Sequence, residues 1–260
     1  MIEISYNEKG VDLKTSRNHS HSNYEIFISK SEGGTFVVRD KAYPLVANAI
    51  YFINAFTFHY SNPLETDNYI RTKIGFDNSF LFHLGSLIDN IEDINTLFTN
   101  TVMVLPKKQD IKVCDEALAQ LSEAHNKHFT LNDLLTVLNI INIGIKNSSN
   151  ANIGNTVIDS ALRYIEQNYM HNITLDSISN TLFINKFYLC HIFKSITGMS
   201  IKQYLIEYRL SLAKKLLMET NDSISDICNM TGFNNTAYFS KIFKEFESCS
   251  PTQYRKLMKQ

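Results

Sequence analysis

Three histidines and one glutamate are spaced in a way that suits metal coordination. His19 and His21 flank a single serine, Glu25 follows on the same segment, and His59 lies further along the chain. Residues at i and i+2 of a β-strand point to one face, so both imidazoles can reach one ion. Imidazoles with one carboxylate suit iron, manganese, zinc or nickel. The same residues also suit a structural role or the lining of a binding cavity, and the sequence favours that second interpretation.

No further set of residues predicts catalysis. The sequence contains no Ser-His-Asp arrangement, no Walker loop and no dinucleotide-binding glycine pattern. The closest two of the four cysteines, Cys228 and Cys249, are 21 residues apart, which is neither a zinc spacing nor a small disulfide scaffold. We therefore expect no catalytic residue, no enzyme activity and no cofactor. A reducing cytoplasm is the expected location.

Length, composition and charge narrow the class of protein. The 260 residues allow one or two domains, and 44% hydrophobic with 20% charged residues excludes a fully disordered chain. No apolar run approaches the ~20 residues of a membrane span. Residues 1–10 lack a charged region followed by an apolar one, so no secretory signal is expected. Residues 1–155 hold 13 Lys/Arg and 17 Asp/Glu, whereas residues 156–260 hold 12 and 9. The basic surplus of the second part favours a polyanionic partner there.

In the first part of the chain, the sequence pattern changes near residue 79 from one that predicts strands to one that predicts helices. Before it, short β-branched and aromatic segments separated by Gly, Asn and Pro predict strands, and hence a barrel or sandwich; they are residues 25–29, 35–39, 49–53 and 69–74. After it, residues 79–98 and 111–145 predict helices. An apolar stripe there comprises Leu131, Leu134, Leu135, Leu138, Ile141 and Ile145. The stripe predicts either packing on the barrel or a dimer contact, and spacing alone does not choose between them.

Residues 156–260 contain an internal repeat with an offset of 50 residues. The identical pairs are Ile192/Ile242, Phe193/Phe243, Lys194/Lys244, Ser200/Ser250, Gln203/Gln253 and Tyr204/Tyr254. Upstream, Ile178 matches Ile227 at an offset of 49, which predicts a one-residue insertion in a turn. Each copy predicts a short helix, a tight turn and a second helix, so the pair predicts a tandem helix-turn-helix.

The second helix of each copy predicts one buried face and one exposed face. Apolar residues recur at i, i+3, i+4 and i+7 from Leu189 in copy one and from Phe239 in copy two. The opposite faces carry lysines and short polar groups, which suit phosphates and base edges. For one helix alone, a plain solvated surface is an equal alternative. The exposed residues are Lys186, Phe187, Cys190, His191 and Lys194 in copy one, and Asn235, Thr236, Tyr238, Ser240, Lys241 and Lys244 in copy two.

The segment between the copies predicts one long helix. Residues 201–220 contain no Gly or Pro, and at ~1.5 Å per residue they span ~30 Å. That length approaches the ~34 Å of one DNA turn. Both second helices can then enter successive major grooves, so a monomer can read a bipartite site.

These residues resemble the AraC/XylS family of bacterial transcription regulators over roughly residues 156–258. The resemblance is strongest in copy two, in the strings Ala237-Tyr-Phe-Ser-Lys-Ile-Phe-Lys244 and Ser250-Pro-Thr-Gln-Tyr-Arg255. Three positions depart from the family pattern. Ser248 stands where Gly is usual and is expected to shift its turn, and Ser179 and Cys228 stand where Ala is usual.

The resemblance implies a two-domain α+β protein. Its parts are a cupin-like effector-sensing β-barrel at 1–78, helices for packing and dimerisation at 79–145, a linker at 146–155, and an all-α DNA-binding domain at 156–260 with two helix-turn-helix units joined by a long helix. An effector inside the barrel is expected to contact His21, Arg39, Tyr51 and His59. The histidine and glutamate set resembles that of metal-binding cupins, but Asn48 stands where those proteins have glycine.

The function implied by the resemblance is sequence-specific regulation of transcription. The expected partners are double-stranded promoter DNA, RNA polymerase, a small-molecule effector and a second copy of the chain, with no membrane. Activation is favoured over repression on family grounds. Cys190 and His191 predict looser base readout by copy one, and Lys241 and Lys244 predict phosphate contacts by copy two.

Two other functions fit the sequence. One is a metal-dependent cupin enzyme with an appended DNA-binding module, which requires a metal on His19, His21, Glu25 and His59. The other is a regulator without an effector, controlled by its own abundance.

Overall fold

The computed structural model of this chain describes residues 2–10, 21, 23–77, 79–80, 94, 96–98, 103–124, 131–147 and 156–259. They belong to two compact units: an N-terminal unit built from residues before 155 and a C-terminal unit built mainly from residues 155–260. His19 and residues 148–155 of the predicted linker lie outside the described residues. None of the described helices is long and apolar enough to cross a membrane.

The described strands form two sheets. The strands are β1 (Ile2–Lys9), β2 (Tyr24–Ser29), β3 (Gly34–Val38), β4 (Lys41–Pro44), β5 (Ile50–Ile53), β6 (His59–Pro63), β7 (Ile70–Phe76) and β8 (Met103–Val104). One sheet has the order β1-β7-β2-β5-β8 and the other the order β4-β3-β6. The two sheets are not joined into one by any pairing between the described strands, so the predicted closed cupin barrel is not confirmed.

Side chains along the central strands point alternately to the two faces of the five-stranded sheet, and both faces are buried. Ile26 and Ile28 of β2 lie in one core cluster, which also contains residues of the helices that follow the sheet. Phe27, between them, lies in a second cluster with Phe36 and Val38 of the three-stranded sheet. Successive strand side chains point to opposite faces, so one sheet contributes to two cores.

Two helices cover the five-stranded sheet: α1 (Lys108–Ala124) and α2 (Leu131–Asn147). Val137, Ile140 and Ile141 of α2 are buried in the first cluster, and the predicted stripe residues Leu134, Leu138 and Ile145 pack against it. Leu135 is 48% exposed. The Leu131 side chain lies outside what the structure describes; of the other stripe residues, most pack on the sheet and Leu135 lies at the surface.

Helix α2 extends two residues into the predicted linker. Asn147 is buried, and its amide donates to the carbonyl of Ile143 at 2.8 Å and to the carboxylate of Asp110 on α1 at 3.3 Å. These bonds satisfy the amide N–H groups of a side chain that otherwise favours a turn. The sequence placed Lys146 and Asn147 outside the helix because Asn and Ser there indicate a loop.

Between residues 156 and 259, every regular element of the C-terminal unit is a helix. Its helices are α3 (Thr156–Asn168), α4 (Leu175–Leu182), α5 (Lys186–Thr197), α6 (Ile201–Glu219), α7 (Ile224–Met230), α8 (Thr236–Glu247) and α9 (Pro251–Met258). Helices α4 and α5 form the first helix-turn-helix motif, α7 and α8 form the second, and α6 is the predicted joining helix. A two-part α+β chain with a helical C-terminal part is thereby confirmed.

The two motifs close their turns at matched positions. Phe183 and Gly232 have φ values of 55° and 79°, and Gly198 and Ser248 have 77° and 60°. After the first turn, Ile184 N donates to Ser179 O and Phe233 N donates to Cys228 O, both at 3.0 Å. The extra residue of copy two is therefore Asn234. Ser248 has the same left-handed conformation as Gly198, and the expected shift of that turn stays a prediction.

Ser248→Gly is expected to stabilise the C-terminal unit by about 1 kcal/mol, because a left-handed residue with a Cβ atom is strained. Denaturant unfolding followed by circular dichroism measures the change. Ser248→Ala is the matched control, since it removes the hydroxyl but keeps the Cβ atom. Equal stabilisation by both variants would show that the hydroxyl, and not the backbone, is responsible.

Candidate DNA interface

Two asparagines start the second helices of the motifs. Asn185 Oδ1 accepts from the backbone N–H groups of Phe187 and Tyr188, at 2.9 and 3.2 Å. Asn235 Oδ1 accepts from Tyr238 N at 2.9 Å. Such caps satisfy N–H groups that the helix leaves open and fix where the helix begins. Asn235 was predicted to face DNA and also has this structural role. Asn185 was not singled out, although its match to Asn235 in the repeat was available in the sequence.

The apolar face of each second helix is fixed in a core. Leu189 and Phe193 of α5 are fully buried, as are Phe239 and Phe243 of α8. Residues at i+3 and i+7, such as Ile242 and Phe246, pack against the same core in the second motif. The predicted buried faces are therefore present in both helices, and each opposite face points away from its core.

The predicted contact residues of α5 lie at its surface. Phe187 is 75% exposed, and Lys186, Cys190, His191 and Lys194 are also exposed. Lys186 Nζ contacts Asp176 Oδ1 of α4 at 3.1 Å and lies 5.9 Å from the Phe187 ring centre. The exposed face of α5 thus combines three cations or imidazoles with an aromatic ring.

The predicted contact residues of α8 are also accessible. Thr236, Lys241 and Lys244 are exposed, Tyr238 is 45% exposed, and Ser240 is half-buried. Phe233, in the preceding turn, packs 6.4 Å from the Tyr238 ring. The face therefore presents two lysines beside a hydroxyl and a phenol, groups that bind phosphates and base edges.

Arg209 of α6 links the segment that follows α3 to the turn of the second motif. Its guanidinium donates to the carbonyl of Tyr169 at 2.8 Å and to that of His171 at 2.8 Å, just after α3. It also stacks 5.7 Å from the ring of Phe233 in the turn of the second motif. Burial lowers the pKa of Arg209, which still remains far above neutrality. Sequence reasoning placed Arg209 in the joining helix without assigning it this role.

The joining helix has a core on its side facing the second motif. Leu210, Ala213 and Leu217 of α6 pack with Phe239 and Phe243. Lys214, itself buried, pairs with Glu247 at the end of α8 at 2.9 Å. The 19 residues of α6 span ~28 Å, close to the predicted length.

The residues predicted to line an effector cavity have different local surroundings. His21 and His59 converge on Glu25. Tyr51 is buried in the cluster between the sheets, where its hydroxyl donates to the carbonyl of Pro44 at 2.7 Å and burial raises its pKa. Arg39 lies at φ 51° in the turn between β3 and β4.

Comparisons with known proteins agree with the two motifs. A family profile described as a helix-turn-helix domain matches residues 178–257. A helix-turn-helix-type transcriptional regulator from the cgkA 5′ region of Pseudoalteromonas carrageenovora is 34% identical over 40% of this chain and 61% of its own length. The lactose operon transcription activator of Staphylococcus xylosus is 25% identical over 98% of this chain and 93% of its own length. The structure of ToxT from Vibrio cholerae is 19% identical over 100% of this chain and 99% of its own, with a TM-score of 0.43.

The C-terminal unit is a DNA-binding domain with two helix-turn-helix motifs. Through it, the chain is similar to helix-turn-helix transcriptional regulators. The chain spans between 34% and 61% of the length of the four curated relatives that are at least 30% identical and come first in similarity.

Proposed function

We propose that the chain is a sequence-specific DNA-binding regulator of transcription. One observation carries the proposal: α5 and α8 have matched asparagine caps, matched buried faces and opposite faces rich in cations and polar groups. A helix positioned in this way can enter the major groove with its exposed face against base edges and phosphates.

Each helix has a distinct proposed role on DNA. In α8, Lys241 and Lys244 hold phosphates while Thr236 and Tyr238 reach base edges. In α5, Lys186 and Lys194 contact phosphates, and Phe187, Cys190 and His191 read bases less strictly because they offer few strong donors. The length of α6 supports docking in successive grooves.

Lys241→Ala tests this docking. DNA affinity should fall several-fold at low salt, and the slope of log affinity against log salt should become shallower by about 0.9, the value for one phosphate contact. Fluorescence anisotropy at several salt concentrations, with the upstream DNA of the gene and scrambled competitor, measures both effects. Lys112→Ala is the control, since it removes an exposed lysine from α1, outside the proposed interface. Unchanged affinity and slope for Lys241→Ala would refute the proposed interface.

We further propose that the N-terminal unit is a cupin-like sensor, with the boundaries 1–78, 79–145, 146–155 and 156–260 given above, and that an effector converts the protein into an activator that recruits RNA polymerase. The relative that aligns over nearly the whole chain is named for a lactose operon, which supports a sugar as effector. Exposed Leu135 on α2 supports a homodimer formed through the helices of this unit.

Binding of a sugar to the N-terminal unit should raise its melting temperature by several degrees. Thermal unfolding of the full chain with a panel of disaccharides beginning with lactose measures the shift. If no sugar changes either the melting temperature or DNA affinity, the proposed effector class is wrong. That result would leave the DNA-binding function unaffected, because Lys241→Ala tests it independently.

A further inference from the structure

His21, Glu25 and His59 come together in the N-terminal unit. His21 Nε2 lies 3.0 Å from Glu25 Oε2, and His59 Nε2 lies 3.7 Å from Glu25 Oε1. One nitrogen or oxygen atom from each residue can be chosen so that all three lie within 4.8 Å of one another. Such a separation allows three ligands to reach a common ion at ~2.0–2.2 Å after small side-chain movements.

The other nitrogen of each imidazole is engaged by the backbone. His21 Nδ1 lies 2.8 Å from the carbonyl oxygen of Asn23, and His59 Nδ1 lies 2.8 Å from that of Thr57. A carbonyl oxygen only accepts, so each Nδ1 donates, and in the neutral ring the Nε2 lone pair faces Glu25. Metal-binding histidines are oriented by this same kind of bond.

The cluster joins the two sheets. Glu25 lies on β2 and shares the face of Phe27, and His59 begins β6 of the three-stranded sheet. Glu25 and His59 are buried at 6% and 1% exposure. A carboxylate placed so deep favours a positively charged partner.

One side of the cluster opens to a small cavity. The cavity has a volume of about 150 Å³ and is lined by His21 and Glu25 together with Ser5, Asn23, Lys73 and Gly75. It has room for a water molecule or a small ligand at a remaining coordination position. The charge of Lys73 is offset by Glu8, which its Nζ approaches to 3.3 Å.

We propose that His21, Glu25 and His59 bind one divalent first-row transition metal ion through Nε2, a carboxylate oxygen and Nε2. Two imidazoles with one carboxylate match Zn²⁺ or Co²⁺ and disfavour Mg²⁺ and Ca²⁺, which take oxygen ligands. Sequence alone favoured a structural or effector-lining role, and the geometry of the three side chains reverses that preference. The ion also links the two sheets, so it stabilises the N-terminal unit.

Metal titration of the full, tag-free chain tests the site. With Zn²⁺, we expect one ion per chain by calorimetry and a melting temperature raised by ~5–10 °C at a hundredfold excess over the Kd. Co²⁺ should give a visible absorption spectrum of low-symmetry nitrogen and oxygen coordination, and Mg²⁺ should have no effect. Because DNA is absent, the result does not depend on the proposed regulatory function.

Matched variants locate the ion. Glu25→Gln and His59→Gln should weaken Zn²⁺ binding at least about tenfold and abolish the Co²⁺ spectrum. His171→Gln, which changes an exposed histidine of the C-terminal unit, should leave both unchanged. Circular dichroism of each variant without metal checks that it folds. Absence of a Co²⁺ spectrum in the wild-type chain, or equal binding by all variants, overturns the proposal.

Discussion

Gly232→Val is expected to destabilise the C-terminal unit by about 3 kcal/mol or more, through backbone strain and overpacking together. Gly232 has φ 79°, which β-branched residues rarely adopt. A Cβ atom there would lie 2.6 Å from the carbonyl oxygen of Tyr169 and 2.8 Å from Cα of Met170. Both are backbone atoms after α3, so neither can turn aside as a flexible side chain does. Urea unfolding followed by far-ultraviolet circular dichroism measures the loss.

The first motif supplies the control for Gly232. Phe183 occupies the matching turn position at φ 55°, but its side chain is 95% exposed and meets no such backbone. Phe183→Val adds the strain of a β-branched residue at positive φ without the clash, so it should cost only about 1 kcal/mol. A similar loss in both variants would show that the turn conformation alone, and not the contact with the end of α3, determines the cost.

Phe243→Ala should cost about 3–5 kcal/mol and remove specific DNA binding. The ring is fully buried and packs 5.7 Å from Phe239 and 5.4 Å from Tyr254, which joins α8 to α9. A cavity at this position leaves the exposed face of α8 without support. Thermal unfolding gives the stability change, and anisotropy with specific and scrambled DNA gives the affinity.

Phe187→Ala distinguishes the two faces of the recognition helices. The same residue type is deleted from a 75% exposed position, so stability should change by less than about 0.5 kcal/mol. Sequence preference for DNA should nevertheless change, because Phe187 lies on the proposed contact face of α5. If Phe187→Ala destabilised the chain as strongly as Phe243→Ala, the assignment of buried and exposed faces would be wrong.

Local signals in the sequence were sufficient for the two motifs and the joining helix, although not for α3 and α9. The repeat aligned Ser200 with Ser250, and both are helix caps that accept from the backbone of Gln203 and Gln253. The i, i+3, i+4, i+7 spacing identified the buried faces of α5 and α8, because residues at this spacing lie on one side of a helix. Helix caps and buried helix faces depend on residues that are close in the sequence, so a pattern in the sequence is enough to predict them.

The sheet region was harder to predict because its contacts are distant in sequence. Strands β1, β4, β6 and β8 were not predicted; in β6, Asn62 and Pro63 indicate a turn but occupy the end of the strand. Glu25 and His59 meet only because two sheets pack face to face, an arrangement that spacing along one chain segment does not reveal. The role of Arg209 was missed for the same reason, since its acceptors lie about 40 residues upstream.

The contacts of Arg209 have a consequence for the arrangement of bases in a target site. Its guanidinium ties α6 to the end of α3 and stacks on Phe233, and Gly232 fits closely against that same end. The second helices of the two motifs, α5 and α8, are then held by the same joining helix, and no glycine-rich segment lies between the motifs. Inserting one base pair between the sequences they read turns one sequence by roughly 34° about the duplex axis relative to the other. Operator spacing should therefore be selected as strictly as the bases themselves.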